Sequence, residues 1–357
     1  MTTTAQRRPF GTMPDGRTVE AVVLTNRNGL TACVLTYGAT LQSLTAPDRN
    51  GTMADIVLGH ATLEDYLAAR RYLGVTVGRY ANRIRHGRFT LDGTDHAITC
   101  NNDANSLHGG ENGFDTLCWT ITAVTASEVT LTLTSPDGDQ GYPGALAVTA
   151  TYGLDDDDAL HVTYTATTDA PTIVNLTNHS FFNLAGEGSG QSILSHRLTV
   201  AADAYLPVDR TMIPTGERRP VSGTPFDFRT PRAVAEHIRD ATDAQIHLGQ
   251  GYDHNYILRD GDADGMRVSA IVADPGSGRM LTLETDQPGL QVYSGNSFDG
   301  RAVGKAGLAY RQSDGLALEP QLFPDTPNQP AFGSARLDPG DTYRARIVYR
   351  LSVNDEG

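Results

Sequence analysis

Apolar and polar residues alternate with a period of two along much of the chain. Val129, Leu131 and Leu133 alternate with threonines, and Leu146, Val148, Ala150 and Tyr152 repeat the pattern. So do Leu160, Val162, Tyr164 and Ala166, then Leu281 and Leu283, then Tyr343, Ala345, Ile347, Tyr349 and Leu351. Successive side chains of a strand point to opposite faces. The pattern therefore predicts half-buried antiparallel strands, apolar toward a core and polar outward. Clusters of Gly, Pro, Asp and Asn at 47–51, 135–144, 154–158, 259–265 and 274–278 read as turns between them. Helical signals are few. Residues 61–69 allow two turns, and residues 231–240 follow Thr230 as an N-cap with Pro231 at the first helical position. Neither recurs between strands in a βαβ rhythm. The expected architecture is all-β, a large antiparallel β-sandwich with few short helices. No fixed-period repeat or low-complexity linker divides the 357 residues, so one domain spanning 1–357 is expected, with the first hundred residues as a lobe of it.

One alternating stretch differs from the rest. In residues 173–184, IVNLTNHSFFNL, Val174, Leu176, Phe182 and Leu184 share one side with Asn178 and Ser180 between them, while Asn175, Thr177, His179 and Asn183 share the other. A strand facing water usually carries Lys, Glu or Thr. Short, stiff Asn and His around one imidazole suit a small polar ligand better, and Asn175 and Thr177 are expected to orient His179 or line its pocket.

Composition narrows the partner. Lys and Arg number 28 against 42 Asp and Glu, a net charge of −14. So acidic a chain repels phosphate backbones and anionic lipid, which disfavours nucleic acid and membrane surfaces and leaves a neutral small molecule unpenalised. The 37 glycines and 18 prolines favour turns over long helices. The start of the chain has two arginines without an apolar run behind them, and no stretch is long and apolar enough to span a membrane. Cys33, Cys100 and Cys118 are widely spaced, fit neither a disulfide framework nor a zinc site, and are expected as buried small apolar residues. A cytoplasmic location follows.

Several chemistries lack their signatures. Asp260, Asp262, Asp264 and Gly265 resemble the opening of a calcium loop, but its twelfth position is Ile271 where a bidentate Glu is required. The acidic run Asp155 to Asp158 reads as a hairpin tip. GxSxG, a P-loop and HExxH are absent, and the Gly-rich pieces lack a strand-then-helix context. What remains is a set of polar motifs in short Gly- and Asn-rich contexts: GRYANRI, NSLHGG, NLTNHSFFNL, GYDHNY, TDQPGLQVYSGN and LEPQLFPD. Together they offer imidazoles, carboxylates, an arginine and amides, with Phe181, Tyr252 and Tyr293 as aromatic faces. Hydroxyl-rich sugars are bound by such mixed donors and acceptors.

These motifs, with PVD and IPTG at 207–216, LTYGATLQSLTAPDRNG and DIVLGHATLEDY, resemble in order and spacing those of the aldose 1-epimerase (galactose mutarotase) family, from about Phe10 to Val353. The resemblance implies the galactose mutarotase-like supersandwich fold. It also implies interconversion of the α and β anomers of hexoses such as galactose and glucose, without metal or organic cofactor, by a monomer or homodimer. By motif, His179 corresponds to the general acid toward the ring oxygen and Glu319 to the general base toward the anomeric hydroxyl. Asn82, Arg83, His108, Asp253 and Gln287 correspond to residues that surround the sugar, and Ser180 and Phe181 are counted with them. Many family members have Thr where Pro320 removes a backbone donor beside Glu319.

The chemistry suits the residues. A base takes the anomeric proton, an acid protonates the ring oxygen, C1–C2 rotates in the open aldehyde, and the ring recloses. No redox change occurs and no group departs, so a histidine near its ordinary pKa of about 6.5 and a carboxylate suffice. Two rival readings are a hexose-6-phosphate 1-epimerase, which needs more basic residues, and a non-catalytic sugar-binding sandwich, which needs no acid–base pair. A glycosidase would pair two carboxylates.

Overall fold

A computed structural model describes residues 5–354. The alternating segments become strands of a nine-stranded antiparallel sheet, in the order Thr120–Val124, Glu128–Ser135, Leu146–Leu154, Ala159–Thr168, Tyr343–Val353, Arg279–Thr285, Arg267–Ala273, Arg197–Val200 and Arg232–Ala233. Register places apolar residue opposite apolar residue, with Leu160 facing Tyr349, Val162 facing Ile347 and Tyr164 facing Ala345. A second antiparallel sheet has six strands, in the order Phe181–Phe182, Leu316–Gln321, Gly289–Tyr293, Asp253–Leu258, Ala202–Leu206 and Arg219–Pro220. Residues 6–55 form a five-stranded sheet of their own.

The two larger sheets share one core. Tyr152, Tyr164, Ile347 and Tyr349 from the first join Leu290, Val292, Leu316 and Leu318 from the second in a single buried cluster. Phe182 meets Tyr349 across the interface with ring centroids 5.0 Å apart. Each such side chain contributes roughly 1.5–3 kcal/mol by leaving water. Because Leu290, Val292, Leu316 and Leu318 take the even parity for the core, Phe181, Asp253, Gln291, Tyr293 and Glu319 emerge on the opposite face of the six-stranded sheet. That face carries the site. The Gly289–Tyr293 ladder runs through Pro320, paired with Leu290, in unbroken register, so its missing N–H does not interrupt the pairing beside Glu319.

The helices follow expectation only in part. The helix expected at 61–69 forms as Leu63–Ala68, with Thr62 Oγ1 accepting from the Asp65 N–H. The helix expected at 231–240 does not: Arg232–Ala233 adds to Arg197–Val200 as the edge strand of the nine-stranded sheet, and Val234–Glu236 is a single 3₁₀ turn whose Val234 N–H donates to the His196 carbonyl. A free sheet edge outcompetes a short helix that is marginal by itself. A helix that periodicity missed, Ala244–Gly249, is capped by Asp243, which accepts from the Gln245 and Ile246 N–H groups. Six residues are too few to display an amphipathic period.

Residues 173–184 are not one strand. They form three short pairings, Thr172–Ile173 with Arg336–Leu337, Thr177–Asn178 with Thr76–Val77, and Phe181–Phe182 with Leu316–Gln321. Every residue from Thr172 to Leu184 is buried, so the polar side is roofed over rather than open to solvent. Of the cysteines only Cys33 is buried; Cys118 is partly exposed and Cys100 exposed.

Candidate active site

A cavity of about 350 Å³ opens on the polar face of the six-stranded sheet, at the lower end of the size range for small-ligand pockets. His179 and Glu319 meet there, with Nε2 3.6 Å from Oε1 and both side chains almost fully buried. The two residues are 140 positions apart; Glu319 is on the strand Leu316–Gln321, and His179 lies two residues before Phe181, which pairs with Ala317 on that strand. His179 is held by its backbone on both sides: its N–H donates to the Val75 carbonyl and its carbonyl accepts from the Gly74 N–H. Three rings pack around the imidazole. Tyr72 stacks on it at 5.6 Å, His108 meets it edge-on at 5.2 Å, and Phe181 lies tilted at 4.9 Å.

His108 is locked in one tautomer. Its Nδ1 accepts the Asn82 backbone N–H at 3.1 Å, and a backbone N–H can only donate. A neutral His108 therefore carries its proton on Nε2 and offers a donor. Burial, with the nearby His179, keeps His108 well below its ordinary pKa, which preserves that state. Asn82 Oδ1 accepts from the Arg83 N–H, and Arg83 Nε donates to Asn102 Oδ1. Asp253 Oδ1 accepts from Gln291 Nε2 at 2.6 Å.

Electrostatics push the central pair toward neutrality. Burial lowers the His179 pKa to about 4. Burial, reinforced by the Asp253 carboxylate and opposed by Arg83, raises Glu319 well above the carboxylate range. Burial also raises Asp253, with Arg83 and Gln291 opposing. Donor atoms of His108, His179 and Glu319 lie within 4.8 Å of one another, a spacing that three metal ligands could share. The Asn82 bond argues against that use, since it occupies His108 Nδ1 and leaves a proton on Nε2.

Of the residues singled out from sequence, Asn82, Arg83, His108, His179, Phe181, Asp253, Tyr293 and Glu319 line the cavity together. Ser180 and Gln287 do not. Ser180 has the opposite parity to His179, faces the core, and donates its Oγ proton to Asn178 Oδ1 at 2.6 Å. Gln287 precedes its strand and donates to Asp286 Oδ1. Tyr252 is buried among Phe226 and Phe228 with its hydroxyl donated to the Pro225 carbonyl. Asn175 neither lines the cavity nor touches His179; it donates to the Ala81 carbonyl and accepts from the Leu322 N–H. Thr177 Oγ1 is buried without a protein partner.

Sequence reading passed over Gln291, which stands in register with Glu319 and binds Asp253. Its signal was present, since Gln291 and Tyr293 share a parity in GLQVY whereas Gln287 lies outside the alternation. Tyr72, Asn102, Met212 and Gln250 also line the cavity and carried no motif. Five lining residues other than glycine, Tyr72, Asn82, His108, Met212 and Gln250, have φ between 52° and 64°. Such left-handed backbone is uncommon outside glycine and concentrates at functional sites. Gly109 shows why its turn is tight: a Cβ there would sit 1.9 Å from the Gly78 carbonyl oxygen.

Known proteins share this sequence pattern and this fold. The sequence model of the family described as Aldose 1-epimerase matches residues 20–350. Galactose mutarotase of Mus musculus is 45% identical over 348 residues, covering 97% of this chain and 98% of its own. Aldose 1-epimerase of Escherichia coli is 39% identical over 341 residues, covering 95% and 96%. The crystal structure of galactose 1-epimerase from Lactobacillus acidophilus superposes with a TM-score of 0.85 at 30% identity, over 99% of this chain and all of that one. With near-complete coverage at every level of comparison, the chain belongs to the aldose 1-epimerase family.

Proposed function

We propose that this cavity takes an aldohexose as its pyranose, and that His179 and Glu319 move the two protons of anomer interconversion. The protein is an isomerase that interconverts the α and β anomers of aldoses such as galactose. The observation that carries the residue assignment is the 3.6 Å approach of His179 Nε2 to Glu319 Oε1 at the cavity wall. The anomeric hydroxyl and the ring oxygen are bonded to the same carbon, so an acid and a base serving them must lie close together. Glycosidase carboxylates stand roughly 5–5.5 or 6.5–9.5 Å apart, which this pair does not match.

Glu319 accepts the anomeric proton while His179 donates to the ring oxygen, and reclosure reverses both transfers. The pair holds one proton throughout, and its two arrangements, on His179 or on Glu319, carry the same count. Tyr72, His108 and Phe181 surround the imidazole and exclude water. His108 Nε2–H, Arg83, Asn82 and Asp253 supply donors and acceptors for the ring hydroxyls. Polarimetry on freshly dissolved α-D-galactose tests the assignment. Glu319→Gln and His179→Gln should each slow equilibration by about 10²–10⁴-fold; either variant working at the unmodified rate would sink it.

A sugar phosphate is a poorer fit. Of the three arginines that line the cavity among the described residues, Arg70 and Arg71 are paired, with Asp115 and Asp299 respectively, which leaves Arg83 alone without an ion pair. An unphosphorylated sugar needs no free cation, and a competition assay with galactose and glucose 6-phosphate separates the two. We read the protein as a monomer or a homodimer; sedimentation velocity distinguishes them. Among the described residues no helix is long and apolar enough to cross a membrane. Three unpaired cysteines support placing the protein in the reducing cytoplasm.

A further inference from the structure

The face that carries Glu319 continues away from His179 as a row of amides. Asn255 stands in register with Gln291, Gln291 with Glu319, and Gly289 with Gln321. All share the parity of Asp253 and Glu319, so they project on the same side of the sheet. Asn255, Gln291, Glu319 and Gln321 are 2%, 3%, 2% and 0% exposed. Gln291 Nε2 binds Asp253, yet Gln291 Oε1, Glu319 Oε2 and both polar atoms of Asn255 and of Gln321 find no partner in the protein. Six orphaned atoms in one patch are far outside the usual pattern, in which buried polar groups are paired with protein or with internal water.

The patch is shaped to hold them. A Cβ on Gly289 would lie 2.5 Å from Asn255 Oδ1. The glycine therefore lets the Asn255 amide lie across its strand, toward the position opposite, which is Gln321. Beyond Asn255 the row is bordered by an apolar cluster of Leu206, Phe323 and Phe332 with Ile257 packed on it. A patch of unpartnered amides beside a carboxylate, edged by apolar residues, supplies the two to four polar partners that ordered internal water needs.

We propose that Asn255, Gln291 and Gln321 hold buried water against Glu319 Oε2, and that these three amides are positioning residues for the base. This rests on the reading of Glu319 as the proton acceptor. Water anchored by the amides donates to Oε2, orients the carboxylate toward C1, and stabilises its charged form against the desolvation of the site.

Two measurements test it. A crystal structure of the unmodified protein, at a resolution where internal water is visible, should show water within hydrogen-bond distance of Gln321, Asn255 and Glu319 Oε2. A dry recess with the amides paired to one another overturns the proposal, whatever the enzyme's activity. Gln321→Met and Asn255→Leu should move the alkaline limb of kcat/KM upward by about one pH unit, because a donor to the charged form of Glu319 is lost. They should also lower kcat with little change in KM. Gln321→Asn, which keeps an amide, should restore much of the limb position. A lowered kcat with the limb unmoved would mean that the amides serve the fold alone, and the proposal fails. An unmodified protein that does not change the rate of optical rotation would instead defeat the reading of the site itself.

Discussion

His179 and Glu319 acquire their properties from neighbours that differ in kind. Burial alone lowers His179, whereas Glu319 answers also to two charged side chains, Asp253 raising it and Arg83 lowering it. The signs give a pH prediction. In the proposed mechanism the pair must keep one proton, so kcat/KM falls as pH rises through the Glu319 pKa in the free enzyme and removes it. Asp253→Asn removes a negative charge and should shift that alkaline limb to lower pH. Arg83→Met removes a positive charge and should shift it to higher pH. Both variants should also weaken sugar binding, yet the position of the limb is read independently of its height. Limbs that move together, or not at all, would show that the two charges do not act on Glu319. The left-handed backbone at Asn82 and His108 belongs to this scale too, since it lets the Asn82 N–H reach the His108 ring and choose its tautomer.

Among the elements, short irregular pieces complete what the long strands begin. The strands present Phe181, Asp253, Gln291 and Glu319 in register, but the roof comes from loops and from the end of the Ala244–Gly249 helix, where Leu248, Gly249 and Gln250 line the cavity. Asp243→Ala removes the only side-chain cap of that helix and should cost about 1 kcal/mol, read as a lowered urea midpoint, together with a raised KM for galactose. Asn175 ties two segments of the site together, bonding Ala81 just before Asn82 and Leu322 just after the strand of Glu319. Asn175→Leu should destabilise the fold by roughly 2–5 kcal/mol, since it orphans two buried backbone groups at about 1–3 kcal/mol each and adds bulk. A loss below about 1 kcal/mol would mean that water or a shifted backbone satisfies them. Sequence pattern could not reveal this role, because Asn175 shares the parity of His179 while its partners lie 94 and 147 residues away.

Across the whole molecule, buried neutral histidines set the response to acid. His196 Nε2 accepts the Leu184 N–H at 2.8 Å, and His254 Nε2 bonds Gln245 Oε1 at 3.0 Å. Burial lowers His196 to about 4 and His254 to about 3. Between those values and the unfolded pKa of about 6.5 the unfolded chain binds more protons, so stability rises with pH there and is lost as pH falls below about 6.5. Each such histidine contributes a slope approaching 1.4 kcal/mol per pH unit. His196→Gln should remove about one proton from the slope of unfolding free energy between pH 6 and 4.5, with the amide oxygen able to accept the Leu184 N–H. An unchanged slope in urea titrations would show that His196 is charged in the native state.

The alternation of side chains determined the all-β class, the antiparallel pairing and most of the core. Those follow from a period of two that each strand carries within itself. The motifs determined the family and brought His179, Glu319, Asn82, Arg83, His108 and Asp253 forward together. The choice between Gln287 and Gln291, the inward turn of Ser180 and the burial of Tyr252 were decided by register, because a one-residue step reverses the face on which a side chain emerges. The cavity itself was decided only by the tertiary structure. Its walls join residues from Arg70 to Glu319, and which loop roofs which strand depends on packing between segments that no local pattern connects.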